Sequence, residues 1–278
     1  MPGLLLGDVF PNFEAETTNG KIKFHDFLGD STLCLVVSGS WLRKTTKNPE
    51  ISIPNYNIFR QDRTAKGGGV AIYCRDSLQS FVLLSSWGIL FSHPRDYTPV
   101  CTTELGRAAK LSDEFSRRNV KMIALSIDTL EDHRGWTKDI LAYNNEESGC
   151  AFPFPIIADN QRELAVALGM LDPDEKDKDG MPLTARCVFV IGQDKKLKLS
   201  LLYPATTGRN FDEILRVVDS LQLTVKNRVA TPADWQPGER VMVPPNIPEE
   251  EAAAMFPAGV YTKELPSERK YLRYTPQP

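Results

Sequence analysis

Trp87-Gly88-Ile89-Leu90-Phe91-Ser92, followed at once by His93-Pro94-Arg95-Asp96-Tyr97-Thr98-Pro99-Val100-Cys101-Thr102-Thr103-Glu104, is the stretch whose reading decides the fold. Its first six residues form a short apolar run, which reads as a buried strand. A proline-containing loop follows. From Cys101 to Arg118 the residues Leu105, Ala108, Ala109, Leu111 and Phe115 recur at roughly helical spacing. Working outward, Val120 to Ile127 reads as a second buried strand and Glu131 to Tyr143 as a second helix. Phe154 to Ile157 reads as a short strand, and Arg162 to Leu168 as a helix closed by Gly169. Arg186 to Ile191 and Leu197 to Tyr203 are strands joined through a turn around Gln193-Asp194, and Asn210 to Leu223 is an amphipathic helix. This succession predicts an α/β fold with a late hairpin that mixes strand directions.

Two stretches have a different texture. Beyond about Lys226 the chain holds nine of its 20 prolines, between Pro232 and Pro278, and one clear helix, Glu249 to Phe256. Such a segment builds little core alone and is expected to pack on the main body or on a second subunit. Residues 31–85 carry seven Lys/Arg against three Asp/Glu, a net +4. Their triplet Gly67-Gly68-Gly69 lacks the Lys-Ser/Thr of a phosphate-binding loop and reads as a turn feeding Val70-Ala71-Ile72-Tyr73.

Composition sets the bounds. With 278 residues, 41% hydrophobic and 25% charged, the chain has material for one large domain or two ordinary ones. A net charge of -3 gives no whole-chain electrostatic case for nucleic acid. The longest nearly apolar stretch, Phe81 to Phe91, is 11 residues, well short of the roughly 20 a membrane span needs. The N-terminus lacks the basic and long apolar regions of a signal peptide, so a cytosolic enzyme is expected. The five cysteines, at 34, 74, 101, 150 and 187, contain no Cys-x-x-Cys pair, and the histidines at 25, 93 and 133 are scattered. Reduced thiols and no metal site are the expectation.

Among those cysteines Cys101 has the chemical setting. It stands where an extended loop meets a helix, and backbone N–H groups with the helix dipole favour thiolate there. Pro94 and Pro99 restrict the loop, and Thr98 lies three residues before the sulfur with a hydroxyl able to meet it or an incoming oxygen.

The Pro94–Glu104 motif resembles the signature of the peroxiredoxins, within them the one-cysteine (peroxiredoxin-6) group. Leu202-Tyr203-Pro204-Ala205-Thr206-Thr207-Gly208-Arg209 and the closing Lys270-Tyr271-Leu272-Arg273-Tyr274-Thr275-Pro276-Gln277-Pro278 carry the same resemblance. It covers residues 1–30 and about 87–278. It implies a thioredoxin-like peroxidase domain over 1–30 and 87–225, a C-terminal domain over 226–278, and a homodimer. By resemblance Cys101 is the peroxidatic cysteine, oxidised to sulfenic acid by hydrogen peroxide or by organic or phospholipid hydroperoxides. Thr98 orients the peroxide, Arg186 holds the thiolate and the leaving oxygen, and Arg209 and His93 complete the pocket. No cysteine follows Cys187, so no C-terminal resolving thiol exists. The resemblance then implies no bound cofactor, glutathione as external reductant, and a glutathione transferase as its delivery partner.

The same group implies a calcium-independent phospholipase A2 activity on phospholipid or membrane-surface substrates, built on a Gly-Asp-Ser-Trp-Gly segment, a histidine and an aspartate. His25 and Asp194 match the last two. The serine segment is split between Gly29-Asp30-Ser31 and Ser86-Trp87-Gly88, so either Ser31 or Ser86 is the counterpart and the activity is expected to be impaired. Residues 31–86 read as an inserted segment. Ser40-Trp41-Leu42, Ile51 to Arg63 and Gly67 to Tyr73 are similar to the endonuclease domain of non-LTR retrotransposons. Gly39 stands where those enzymes place a metal-binding glutamate, so neither DNA cleavage nor a nucleic-acid partner is expected. The competing expectation is a catalytically silent dimeric scaffold or chaperone-like protein compromised by the insert. A cytoplasmic location with a lysosomal pool completes what the resemblance implies.

Overall fold

The computed structural model describes residues 4–29, 35–38, 56–61, 70–75, 86–147 and 149–278. Strands β1 (Glu14–Thr17) and β2 (Gly20–Lys23) lead into the short helix α1 (Phe24–Leu28). Strands β3 (Leu35–Ser38), β4 (Tyr56–Gln61) and β5 (Val70–Arg75) pair antiparallel in the order β3-β5-β4, a small sheet of their own. Then come β6 (Trp87–Ser92), α2 (Pro99–Lys110), α3 (Ser112–Arg117), β7 (Val120–Ser126), α4 (Leu130–Tyr143), β8 (Ile156–Ala158) and α5 (Glu163–Ala167). A hairpin of β9 (Leu171–Lys176) and β10 (Pro182–Thr184) precedes β11 (Arg186–Ile191), β12 (Leu197–Tyr203) and α6 (Phe211–Asn227). The chain ends with β13 (Val241–Met242), α7 (Glu249–Met255), β14 (Tyr261–Thr262) and β15 (Arg273–Thr275).

The central sheet has seven strands in the order β12-β11-β6-β7-β8-β1-β2. Strands β6, β7 and β8 run parallel, because each crossover between them carries helix; the others pair antiparallel. Every residue of β6 is buried, as a strand covered on both faces requires. Its alternation still sorts the core. Ile89 and Phe91 join Leu105, Phe115, Trp136, Ile140, Phe211 and Val218 on one side. Leu90 joins Phe10, Phe24, Leu28, Ile157 and Phe189 on the other. The expected α/β architecture with its late antiparallel hairpin is therefore present.

Two expectations needed adjustment, and two hairpins had none. The helix read from Cys101 to Arg118 begins at Pro99 and breaks at Leu111, whose ψ of 4° leaves the helical region. The bend keeps both Leu111 and Phe115 in the core. The strand read at Phe154 to Ile157 is β8, two residues later at its start. The β1–β2 and β9–β10 hairpins were not read. β9, Leu-Asp-Pro-Asp-Glu-Lys, carries almost no apolar pattern, whereas Asn19-Gly20, with Gly20 opening β2 at a φ of 103°, was a readable turn signal.

After α6 the chain builds a core of its own from Val229, Trp235, Val241, Val243, Ile247, Ala252 and Phe256. Leu223 of α6 packs against it, so this small C-terminal unit, with its β13-β15-β14 sheet, is anchored to the main body through that helix.

Candidate active site

Cys101 is the third residue of α2. Pro99 opens the helix, where its missing N–H costs no hydrogen bond, and the first turn holds no acidic residue. The unpaired N–H groups of that turn therefore present positive potential to the sulfur. The thiol is fully buried, and Nη1 of Arg186, the first residue of β11, lies 3.3 Å from its Sγ.

Arg186 is held from two sides. Its Nε and Nη2 donate to the Ala205 carbonyl at 2.9 and 2.6 Å, and its Nη1 donates to Glu104 Oε2 at 2.5 Å. Glu104 stands one helical turn after Cys101, on the same face of α2. The same carboxylate accepts from the backbone N–H, Nε and Nη2 of Arg209 at 2.6, 2.9 and 2.9 Å. Arg209 also donates from Nη1 to the Cys187 carbonyl and lies 5.7 Å from the Phe91 and Phe211 ring centres. Burial pushes the Glu104 carboxyl up, but the hydrogen bonds and charge of Arg209, with the charge of Arg186, outweigh it and hold it below the usual range. Two cations against one carboxylate leave a net positive charge around the sulfur. Such a site stabilises an anion at sulfur and the charge that develops on a departing oxygen.

His93 and Thr98 occupy neighbouring positions. His93 is fully buried and its Nε2 donates to Asp96 Oδ1 at 2.7 Å. Asp96 also accepts from Nδ1 of His133 at 2.5 Å. The Thr98 hydroxyl donates to the Arg95 carbonyl at 2.9 Å and so is turned into the loop, rather than toward the sulfur or the incoming oxygen expected as its partner. A cleft of about 320 Å³ lined by Arg95, Tyr97, Thr98, Asp128 and Asp132 gives access to this loop. His93, Asp96 and Asp128 bring ligand atoms within 4.8 Å of one another. Asp96 already accepts two histidine bonds, and Asp128 Oδ2 accepts from the Asp96 N–H and the Ser126 hydroxyl. These bonds compete with any cation for the same oxygens.

The structure thus joins Cys101, Arg186 and Arg209, and does so through Glu104, which the sequence reading left without a role. Its spacing of three from Cys101 on a helix was the available signal. Asp96 and His133 were also missed; an isolated histidine on a helix gives no sign of its partner 37 residues away. Of the other cysteines, Cys150 is exposed and Cys187 is buried, its thiol pushed up by burial.

The phospholipase-like residues are placed as follows. His25 Nε2 lies 2.8 Å from the Phe10 carbonyl oxygen, and the Phe10 N–H donates to the carbonyl of Lys195, the neighbour of Asp194. Asp194 accepts from Lys198 Nζ at 2.6 Å. The buried Ser86 hydroxyl donates to Asn119 Oδ1 at 2.9 Å. Ser31 lies outside the described residues.

Comparison with known proteins assigns the chain to a family. Residues 73–200 match the AhpC/TSA family, and residues 220–259 match the C-terminal domain of 1-Cys peroxiredoxin. The chain is 61% identical over 279 residues to human peroxiredoxin-6 and 60% over 278 residues to that of Gallus gallus, with full coverage of each chain. Among solved structures, a cysteine-to-serine mutant of Arenicola marina peroxiredoxin 6 superposes with a TM-score of 0.77 at 50% identity, covering 99% of both chains. A yeast mitochondrial 1-Cys peroxiredoxin, described with thiol resolution via glutathione/thioredoxin systems, gives 0.70 at 37% identity, covering 98% of this chain and 99% of that one. The chain belongs to the peroxiredoxins, within their one-cysteine, peroxiredoxin-6 group of thiol peroxidases with a thioredoxin-like fold.

Proposed function

We propose that this peroxidase reduces hydrogen peroxide and organic or phospholipid hydroperoxides through Cys101 alone, with glutathione as reductant. The observation that carries the reading is Arg186 Nη1 at 3.3 Å from Cys101 Sγ, fixed there by Glu104. The sulfur anion attacks one peroxide oxygen, the O–O bond breaks, and its electron pair leaves on the second oxygen, which takes a proton as water or alcohol. Arg186 faces the negative charge throughout. Cys101 is left as sulfenic acid. An external thiol then displaces water from that sulfur to form a mixed disulfide, and a second thiol releases the reduced enzyme. Thr98 orients the peroxide once its hydroxyl turns from the Arg95 carbonyl. Delivery of glutathione by a glutathione transferase, a cytoplasmic location with a lysosomal pool, and a homodimer belong to the same reading. The edge strand β12, with Leu202 71% exposed, supports a partner subunit.

Family resemblance adds a phospholipase A2 activity, impaired here by the segment 31–86, which we read as an insertion of retrotransposon origin. The Ser86 hydroxyl bound to Asn119 supports impairment. The silent-scaffold alternative leaves the buried Arg186–Glu104–Arg209 cluster without a purpose.

The test is peroxide turnover by purified protein with glutathione, beside Cys101→Ser and single serine substitutions at Cys34, Cys74, Cys150 and Cys187. Loss in Cys101→Ser alone is expected, with sulfenic acid accumulating at Cys101 when no thiol is added. Near-parental turnover by Cys101→Ser, or one dominant internal disulfide after a single equivalent of peroxide, overturns the one-cysteine reading.

A further inference from the structure

Asp96 ties together more of the molecule than its place in a loop foretells. Its side chain is 1% exposed. Oδ1 accepts from His93 Nε2 at the end of β6, and Oδ2 accepts from His133 Nδ1 on α4. Its backbone N–H donates to Asp128 after β7 at 2.9 Å. His133 in turn points Nε2 at the Ile157 carbonyl oxygen of β8, 3.1 Å away. Both ring nitrogens of His133 therefore face oxygen atoms, one on Asp96 and one on Ile157. Burial acts to raise the Asp96 carboxyl, and the hydrogen bonds and charges of His133 and His93 overcome it, lowering it to about 2. The Asp96 carboxylate thus sits between the two histidine rings, with its backbone N–H held by Asp128.

What hangs from the Asp96–His133 pair is the segment Pro94–Thr98, which delivers the first turn of α2. Tyr97 holds a left-handed φ of 54°, uncommon for a residue with a side chain and sustained only where surroundings enforce it. Helix α4 makes a second tie to the same turn. Trp136 donates from Nε1 to the Thr102 hydroxyl at 3.2 Å, and that hydroxyl donates to the Thr98 carbonyl at 2.8 Å. An apolar side chain at 133 fills volume but leaves the buried Asp96 short of a donor.

We infer that His133 is a positioning residue for peroxide reduction, acting through Asp96 to fix the Pro94–Thr98 loop and with it the placement of Thr98 and Cys101. The inference rests on Cys101 being the reacting thiol. His133 touches neither sulfur nor peroxide; its effect passes through one carboxylate.

Two substitutions separate this role from packing. His133→Asn keeps a donor where Nδ1 stood, toward Asp96. His133→Gln keeps one where Nε2 stood, toward Ile157. The readout is the second-order rate of Cys101 oxidation by hydrogen peroxide, per titrated thiol, beside a thermal melt. His133→Gln is expected to lose about 10- to 100-fold in rate, and His133→Asn to recover most of it. Asp96→Asn is expected to show the same loss, and adding His133→Gln to it to cost nothing further, since both break one link. Equal rates in the Asn and Gln variants, or full additivity in the double variant, overturn the proposal. So does a parental rate in Asp96→Asn, even where His133→Gln fails to fold. Cys101→Ser run alongside keeps the two readings apart: peroxide reduction surviving there condemns the thiol assignment, not the role of His133.

Discussion

The backbone N–H of Ser86 donates to the carbonyl of Leu28 at 2.9 Å. The described residues that flank the 30–85 segment therefore meet on the main body, and Gly88 completes the junction. A Cβ at Gly88 meets Leu28 Cδ2 at 2.7 Å, so the Leu28 side chain, which is fully buried, must shift. Gly88→Ala is expected to destabilise the fold by about 1–3 kcal/mol, the usual cost of overpacking a core. Urea unfolding measures it; an unchanged midpoint refutes the tight fit.

Glu104 is the joint between both arginines, so its charge matters more than its volume. Glu104→Gln keeps the shape and leaves two buried guanidinium groups without a counter-charge. A loss of about 3–5 kcal/mol in stability is expected, with a fall in peroxide rate because the Oε2 anchor that holds Arg186 Nη1 at 3.3 Å from the thiol is weakened. Parental stability together with parental rate contradicts the account.

How much of this could be read beforehand depends on the range of the interaction. Strands β6, β7 and β11 and helices α4 and α6 were legible because their burial leaves local periodicity in the chain. The place of Cys101 at a helix start was legible because Thr98 and Pro99 are its sequence neighbours. The Arg186 and Arg209 roles came only with resemblance, since their distances to Cys101 and Glu104 are set by the sheet order β12-β11-β6. Asp96–His133 was invisible: the contact joins a loop to a helix 37 residues on. The Thr98 hydroxyl shows a further limit, because spacing fixes its reach and not its rotamer.

Acid stability follows from Asp96. Its carboxyl, lowered from 3.8 to about 2 by its histidine partners against burial, contributes stability above pH 4. That contribution, of about 2 kcal/mol, is lost as pH falls through its folded value. Asp128 acts in the opposite direction: burial first, then the Asp96 charge, raise its carboxyl, so protonation relieves strain there. Denaturation of the parental protein between pH 4 and pH 2 is expected to show the steeper loss, and Asp96→Asn a shallower one. Parallel curves contradict the assignment.

The last expectation concerns the inserted segment and the two activities. The peroxide chemistry proposed above lies beyond the C-terminal end of β6, at His93 to Cys101, while the segment departs from the opposite end, beside Ser86. A longer connection between flanking residues that already meet costs little, about 0.6 kcal/mol per doubling of its length. Peroxide reduction by the full chain is therefore expected to match that of a chain lacking residues 32–86. The phospholipase-like set has no such separation. His25 lies in α1, directly before the departure point, and the remaining candidate serine, Ser86, is bound to Asn119. Deletion of 32–86 rebuilds Gly-Asp-Ser-Trp-Gly and returns the serine to a short turn between α1 and β6. Phospholipid hydrolysis is expected to be weak in the full chain and to rise on deletion, with peroxidase unchanged, when both proteins are assayed side by side on both substrates. Equal hydrolysis in the two sinks the disruption argument, and a folded full chain without peroxidase sinks the claim that the segment is remote from Cys101.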